Sequence, residues 1–445
     1  MRDGARSDAS RRATRGHIEE DAARSDGDST RPADDRARSP SEVAAARSDR
    51  LAVAGRVIAR TAESITLADA FGAIEIDGQA ELEPGDLAVM RIVRSPDRSA
   101  DRSPDRSADR LRCEAVLERY RPRVAPAGRA GDVWRFVHRS IGRNLRARAF
   151  VLDAIRAFFR RRTFIEVDTP VLVVSPGLDL HLDAIQAGTG WLITSPEYQM
   201  KRLLVGGVPR AFQITHVLRG AELGAQHNPE FSMVEWYRAF SSMDEVMADA
   251  EQLVAEVMAA FASSSFAPAD RTAVCPAPPF ERLAVADAFA RFAGVSADEA
   301  LRLAEQDEQT FFRLLVDKVE PALATEGRPV LLVDYPISQA SLARPSPRDP
   351  RVCERFELYV GGIELCNGFG ELTDPVEQRR RLQRDQQTRA ALGKPVYPID
   401  EKFLAALEEG MPPSGGVALG LDRLVALCTG EPHIANVMPF PANWL

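Results

Sequence analysis

From residue 49 onward the chain alternates apolar and polar side chains in short bursts. LAVAGRVIAR, ESITLADA, GAIEIDGQ, DLAVMRIV and LRCEAVLERY follow one another, separated by Gly, Pro and Asp turn signals. Period-two alternation between such signals predicts β-strands, and five of them over residues 49–125 predict a small OB-like β-barrel. Residues 1–48 are mostly Arg, Asp, Ser and Ala with almost no large apolar side chain. Such a mixture cannot bury enough surface to offset the entropy of ordering, so it reads as a disordered tail. The octapeptide SPDRSADR, written in tandem over residues 95–110, reads as a low-complexity, solvated loop of the barrel.

Past residue 138 the pattern changes. Val151, Ile155, Phe158 and Phe159 recur at helical spacing between Leu145 and Phe164, which predicts one apolar stripe on a helix whose Arg160, Arg161 and Arg162 favour its C-terminal dipole. WLITS, AFQIT, FSMVEWYRAF, VLLVDY, FELYV, IELCN and GVALGL read as strands, and 240–262 and 281–325 as helical. This alternation predicts an α+β domain over residues 138–445, a large antiparallel sheet flanked by helices.

Composition narrows the functional classes only a little. A net charge of −8 over 445 residues gives no global basic footprint for nucleic acid, although a local groove stays possible. The barrel strands offer only Phe71 and Tyr120 as stacking platforms, which favours a structural or protein-docking barrel over a base-stacking one. Five cysteines stand far apart with no C-x-x-C spacing, so neither a zinc site nor a disulfide framework is indicated. No apolar run approaches the roughly 18 residues of a membrane span, and no secretory signal pattern opens the chain. A cytoplasmic protein is expected.

Three segments carry the chemistry. RRRTFIEVDTPVL, FQITHVLRGAELGAQHNPEFSMVEWYRAF and GGVALGLDRLVAL together resemble the three signature motifs of class II aminoacyl-tRNA synthetases. The resemblance implies ATP as a substrate. It implies that Arg219 grips the α-phosphate, His227 reaches the γ-phosphate, and Phe231 and Arg423 sandwich the adenine, with Asn228 in the same set. It also implies a homodimer built through the first motif. A fixed guanidinium suits the reaction, because attack of a carboxylate on phosphorus builds negative charge. In that family a glutamate two residues beyond the arginine contacts the adenine amino group. Here the position holds Ala221, and either the adjacent Glu222 substitutes or the contact is absent.

Between the second and third motifs stands FELYVGGIELCNGFGELTD. A two-residue turn at Gly361 and Gly362 would set Glu364 opposite Tyr359 and put Glu357 and Glu364 on one face. Paired carboxylates near nucleotide phosphates suit Mg²⁺. Alternation along FSMVEWY puts Phe231, Met233, Glu235 and Tyr237 on one face, and NGFGE adds Asn367, Phe369 and Glu371. Carboxylates deep in a pocket require a cationic side chain, because an unpaired buried charge is expensive; lysine fits, as does any analogue with a terminal ammonium.

TSPEYQMKRLL, HNPEFSMVEWY and ELCNGFGELTDPVEQRRR resemble the lysyl branch of class II, which implies that Glu197 holds the reacting amino group. Within that branch residues 140–445 most resemble the synthetase-like ligases that attach (R)-β-lysine to a lysine of elongation factor P. Ala418 stands where lysyl-tRNA synthetases usually carry glycine, and its methyl would reshape the floor under the amino acid. The resemblance makes elongation factor P the expected acceptor and tRNA an unlikely one. The preceding barrel departs toward a true synthetase, so a lysyl-tRNA synthetase and a non-catalytic paralogue remain the alternatives.

Overall fold

The computed structural model describes residues 37–46, 48–78, 80–95, 110–123, 131–139, 141–220, 222–267 and 276–445. Most of the expected tail, the repeat over 96–109 and Ala221 lie outside them. The chain divides into two compact units, Met1–Pro126 and Ala127–Leu445.

In the first unit the strands β1 (Arg50–Arg60), β2 (Ser64–Ala68), β3 (Ala73–Asp77), β4 (Leu87–Ser95) and β5 (Arg110–Tyr120) close a barrel in the order β1-β2-β3-β5-β4. Inward positions such as Val53, Leu67, Ile76, Met90 and Ile92 are wholly buried, and the alternation in the sequence already marks them. One segment differs from expectation. Pro40–Ala45, inside the stretch read as tail, is a short 3-10 helix capped reciprocally by Ser39 and Glu42, and Val43 is buried in the barrel core. Its docking is shared: Arg38 bridges Val53 in the barrel wall, Ser41 donates to the Asp69 carboxylate through its amide and hydroxyl, and Val43 adds buried apolar surface. Phe71 and Tyr120 are both exposed.

In the second unit a short helical segment at Trp134–His138 precedes α1 (Ile141–Arg161), which is followed by the short strands β6 (Ile165–Glu166), β7 (Leu172–Val173), β8 (Gln186–Ala187) and β9 (Gly190–Leu192), then α2 (Glu197–Val205). The hairpin β10 (Arg210–Leu218) and β11 (Glu230–Ala239) follows, with α3 (Met243–Ala262) after it. Next come β12 (Glu281–Ala284), α4 (Val285–Ala288), α5 (Ala297–Gln306), α6 (Glu308–Leu314), α7 (Glu320–Thr325) and β13 (Val330–Pro336). The unit closes with β14 (Val352–Val360), β15 (Ile363–Gly370), α8 (Pro375–Ala391), α9 (Glu401–Gly410), β16 (Ser414–Gly420) and α10 (Leu421–Thr429).

Eight strands form one sheet in the order β12-β13-β14-β15-β16-β11-β10-β6, antiparallel except for the two outermost pairs. Val234 and Trp236 on β11, Phe356 and Leu358 on β14, and Val417 and Leu419 on β16 face one way and pack against α1, α3 and α10. The stripe expected on α1 is there: Val151, Ile155, Phe158 and Phe159 are completely buried. Arg160 and Arg161 stand in its last turn as expected, and Arg161 and Arg162 also pair with Glu256 of α3 at 2.6 and 2.7 Å. The region 281–325 begins with a strand, because ERLA pairs in parallel with Val330–Val333. Ser242, Asp374 and Asp400 cap α3, α8 and α9, a contribution of about 1 kcal/mol each. No helix among the described residues is long and apolar enough to cross a membrane.

Candidate active site

The opposite face of the sheet carries the chemistry, because residues that alternate with the buried apolar set must point away from it. Register places Glu357, Asn367, Ala418 and Glu235 side by side across β14, β15, β16 and β11. Arg355, Phe369, Gly416 and Tyr237 form the next row. These rows floor a cavity of about 520 Å³. Its walls bring together Arg219, Glu222, His227, Asn228, Phe231 and Arg423 with Glu197, Glu235, Tyr237, Asn367, Phe369, Ala418, Glu357 and Glu364. Glu371 is the exception. It is fully buried beside the cavity, absent from its walls, and ion-paired with Lys201 at 2.5 Å. It is one pleat beyond Phe369 on the same face, where its backbone amide extends the β15–β16 ladder by donating to the Ser414 carbonyl. A Cβ on Gly416 would collide with both the Tyr237 ring and the Glu371 carboxylate.

At one end of the cavity the charges are acidic and dry. Glu235 is 1% exposed. Its two oxygens accept hydrogen bonds from Tyr237 Oη at 2.6 Å and Ser195 Oγ at 2.8 Å. Burial, then the nearby Glu197 carboxylate, pushes its pKa up to about 8. Glu197 opens α2, and one turn later Lys201 pairs with it at 2.6 Å. A carboxyl held near neutrality by desolvation is a receptor for an external cation.

At the other end the charges are basic. The Arg219 guanidinium lies 5.1 Å over the Phe231 ring, and its Nε is buried without a hydrogen-bond partner among the described residues. A buried orphan donor is costly, and an anionic ligand would satisfy it. Arg423 donates to the Glu364 carbonyl at 2.6 Å and stands 3.0 Å from His227 Nε2. Burial and that guanidinium hold His227 below its usual pKa, so the imidazole is neutral and its Nε2 accepts from Arg423. Asn228 lines the cavity, but its amide is committed to the Glu230 carbonyl and the Ala442 amide, which fixes the loop entering β11.

The β14–β15 turn forms as the sequence indicates. Gly361 and Gly362 have φ of 59° and 78°, conformations that exclude most other residues, and Tyr359 pairs with Glu364. A register shift beside Leu358 and Tyr359 moves Glu357 opposite Asn367. The two carboxylates still interact: burial and then Glu357 raise the pKa of Glu364. Among the described residues no group of three or more His, Cys, Asp or Glu side chains is arranged around a metal position. The Glu357 and Glu364 carboxylates on the β14–β15 hairpin are hard oxygen donors that fit Mg²⁺, with Arg355 and Tyr359 also donating to Glu357.

Several residues at the site escaped the sequence reading. Arg355 donates to Glu357 at 2.7 Å and lies 4.6 Å over the Tyr335 ring; its position two residues before Glu357 on one strand was the available signal. Ser195 sits two residues before Glu197. Lys201 follows Glu197 by one helical turn, which is a legible i,i+4 pair, but its contact with Glu371 is set by packing alone.

A large antiparallel sheet with a helix-covered apolar face, and a cavity joining a buried acidic pocket to two arginines, defines a class II synthetase-type catalytic domain. The family model described as tRNA synthetases class II (D, K and N) matches residues 132–444, and the chain belongs to that family. It is 39% identical over 327 residues to the elongation factor P–(R)-β-lysine ligase of Hamiltonella defensa subsp. Acyrthosiphon pisum (strain 5AT), a match spanning 67% of this chain and 95% of the relative. It is 41% identical over 325 residues to the ligase of the same name from Proteus mirabilis (strain HI4320), spanning 67% and 94%.

Proposed function

We propose that the chain uses ATP to activate (R)-β-lysine, or lysine, as its adenylate and transfers the aminoacyl group to a lysine of elongation factor P. The observation that carries this reading is the acidic pocket of Glu235, Tyr237 and Ser195, next to Glu197 and in the same cavity as Arg219 and Arg423. An amino acid bound there by its ammonium groups directs its carboxylate toward the arginines. A carboxylate oxygen attacks the α-phosphorus of ATP, the mixed anhydride forms, and pyrophosphate leaves. Arg219 stabilises the charge that builds on the phosphoryl oxygens. Phe231 and Arg423 hold the nucleotide, and Glu222, on the cavity wall, supplies the adenine contact. A neutral lysine amine of the acceptor then attacks the anhydride carbonyl carbon. An amide forms, AMP departs, and the proton passes to solvent.

Mg²⁺, held by Glu357 and Glu364, would neutralise charge on the β- and γ-phosphates. Glu357→Gln combined with Glu364→Gln is expected to raise the Mg²⁺ concentration at half-maximal ATP–pyrophosphate exchange by about tenfold. An unchanged Mg²⁺ titration would exclude the pair as ligands.

A homodimer built through the first motif is supported by Ile165, Val171, Leu172 and Val174, large apolar side chains that are all exposed there. A translation factor as acceptor places the reaction in the cytoplasm. The experiment for the whole reading offers radiolabelled β-lysine, ATP and Mg²⁺ with purified elongation factor P in one reaction and bulk tRNA in another. Labelled protein with nearly unlabelled tRNA is expected. Efficient charging of tRNA without protein labelling would replace the ligase by a lysyl-tRNA synthetase.

A further inference from the structure

Among the described residues Lys201 is the fully buried lysine, with no exposed side-chain surface, and the mechanism above gives it no part. It lies on α2, which Tyr198 fixes by stacking on Phe403 of α9 at 4.4 Å between centroids. Its ammonium is 2.6 Å from Glu197 and 2.5 Å from Glu371. Glu371 is anchored in turn through its backbone amide to the Ser414 carbonyl. Lys201 is therefore held from two sides on rigid elements, and neither partner can turn without breaking an ion pair.

We infer that Lys201 is a positioning and specificity residue, a built-in ammonium that orients Glu197 and sets the charge of the pocket to match a substrate with two amino groups. The inference rests on the functional reading above. Glu197, Glu235 and Glu371 are three carboxylates, and one internal ammonium leaves two negative charges when all ionise. A diamino acid brings two ammonium groups, one for Glu197 and one for Glu235. Without Lys201 the site holds three crowded carboxylates. Such a site neutralises itself by taking up protons instead of holding a fixed geometry.

The groups facing this cluster come from several elements. Glu197 and Lys201 are on α2, Ser195 precedes it, Glu235 and Tyr237 are on β11, Glu371 follows β15, and Arg344 acts on Glu371 from the segment before β14. Burial opposes the charge on Lys201, and Glu197 and Glu371 more than offset it, so the ammonium persists above the usual lysine range.

The test compares wild type with Lys201→Met and Glu371→Gln in ATP–pyrophosphate exchange with β-lysine and lysine, following KM for amino acid and ATP separately and recording thermal stability. In both variants KM for the diamino acid is expected to rise by about tenfold or more, with KM for ATP changed by less than about twofold. Lys201→Met removes a positive charge from two carboxylates and raises their proton affinity. The pH at which KM stops falling should therefore move upward. If Lys201→Met does not fold, Glu371→Gln, which keeps the volume and removes one carboxylate charge, decides. Lower thermal stability with wild-type KM and an unshifted pH profile would reduce Lys201 to a structural residue. Wild-type protein that neither binds nor activates either diamino acid would overturn the functional reading and this inference with it.

Discussion

Arg219→Ala will lower ATP–pyrophosphate exchange by at least about a hundredfold while leaving the fold intact. The guanidinium is stacked on Phe231 at 5.1 Å and its buried Nε has no protein partner among the described residues, so its removal breaks no internal hydrogen bond there. What is lost is a preorganised cation aimed at charge that appears only as the carboxylate reaches phosphorus, which is why kcat falls more than the affinity for ATP. Arg423→Ala should lose activity to a similar degree for a partly different reason. Arg423 also donates to the carbonyls of Gln226 and Glu364 and contacts His227, so its loss loosens the loop between β10 and β11 as well. Single-turnover formation of adenylate, measured beside thermal unfolding, separates the two cases. Exchange within a few-fold of wild type in Arg219→Ala would remove this arginine from the chemistry.

The second large effect concerns Glu235. Its free carboxyl has a pKa of about 8, whereas a bound ammonium requires the ionised form. Binding at neutral pH must therefore release a proton. KM for the diamino acid should fall by up to about tenfold per pH unit as pH rises toward 8, then level off. Glu235→Gln is isosteric and still accepts from one hydroxyl, but it carries no charge at any pH. Its KM should be raised by about a hundredfold at pH 8 and should be nearly flat between pH 6 and 8. The check is a pH series of KM for amino acid and ATP, with ATP as the internal control. Calorimetry in buffers of different ionisation enthalpy measures the released proton directly. A flat wild-type profile would mean that the cation binds elsewhere in the cavity.

The arrangement of charges suits a flexible diamine despite the apolar surroundings of the pocket. Tyr237 and Ser195 satisfy Glu235 as hydrogen-bond donors but do not neutralise it. Lys201 stands within ion-pair distance of Glu197 and Glu371. A neutral side chain entering this space would leave Glu235 protonated and would gain only contact with Phe369 and the Tyr237 ring. An ammonium exchanges its hydration for an ion pair in a nearly dry site, which is favourable only because the partner carboxylate is already desolvated.

Much of this architecture is local and can be read along the chain. Period-two alternation fixes which residues of β11, β14, β15 and β16 share a face, so Glu235, Tyr237, Glu357, Asn367 and Phe369 sort together before any coordinates exist. Two adjacent glycines dictate the β14–β15 turn, and the apolar stripe of α1 names its buried side. What the sequence leaves open is set by packing between distant segments. Alternation from Phe369 puts Glu371 on the face that carries Tyr237, but only packing between distant segments brings Lys201 of α2 to within 2.5 Å of it. The fold of residues 40–45 onto the barrel depends on a hydrophobic core made by other strands. The raised pKa of Glu235 depends on exclusion of water by the whole cluster around it. Residue type and period are properties of a short window, so the strands, their faces and the chemical groups they carry are legible along the chain. Burial and Coulomb interactions depend on three-dimensional distance, so packing between distant segments sets which carboxylates lie against Lys201 and which, like Glu235, have hydroxyl donors instead.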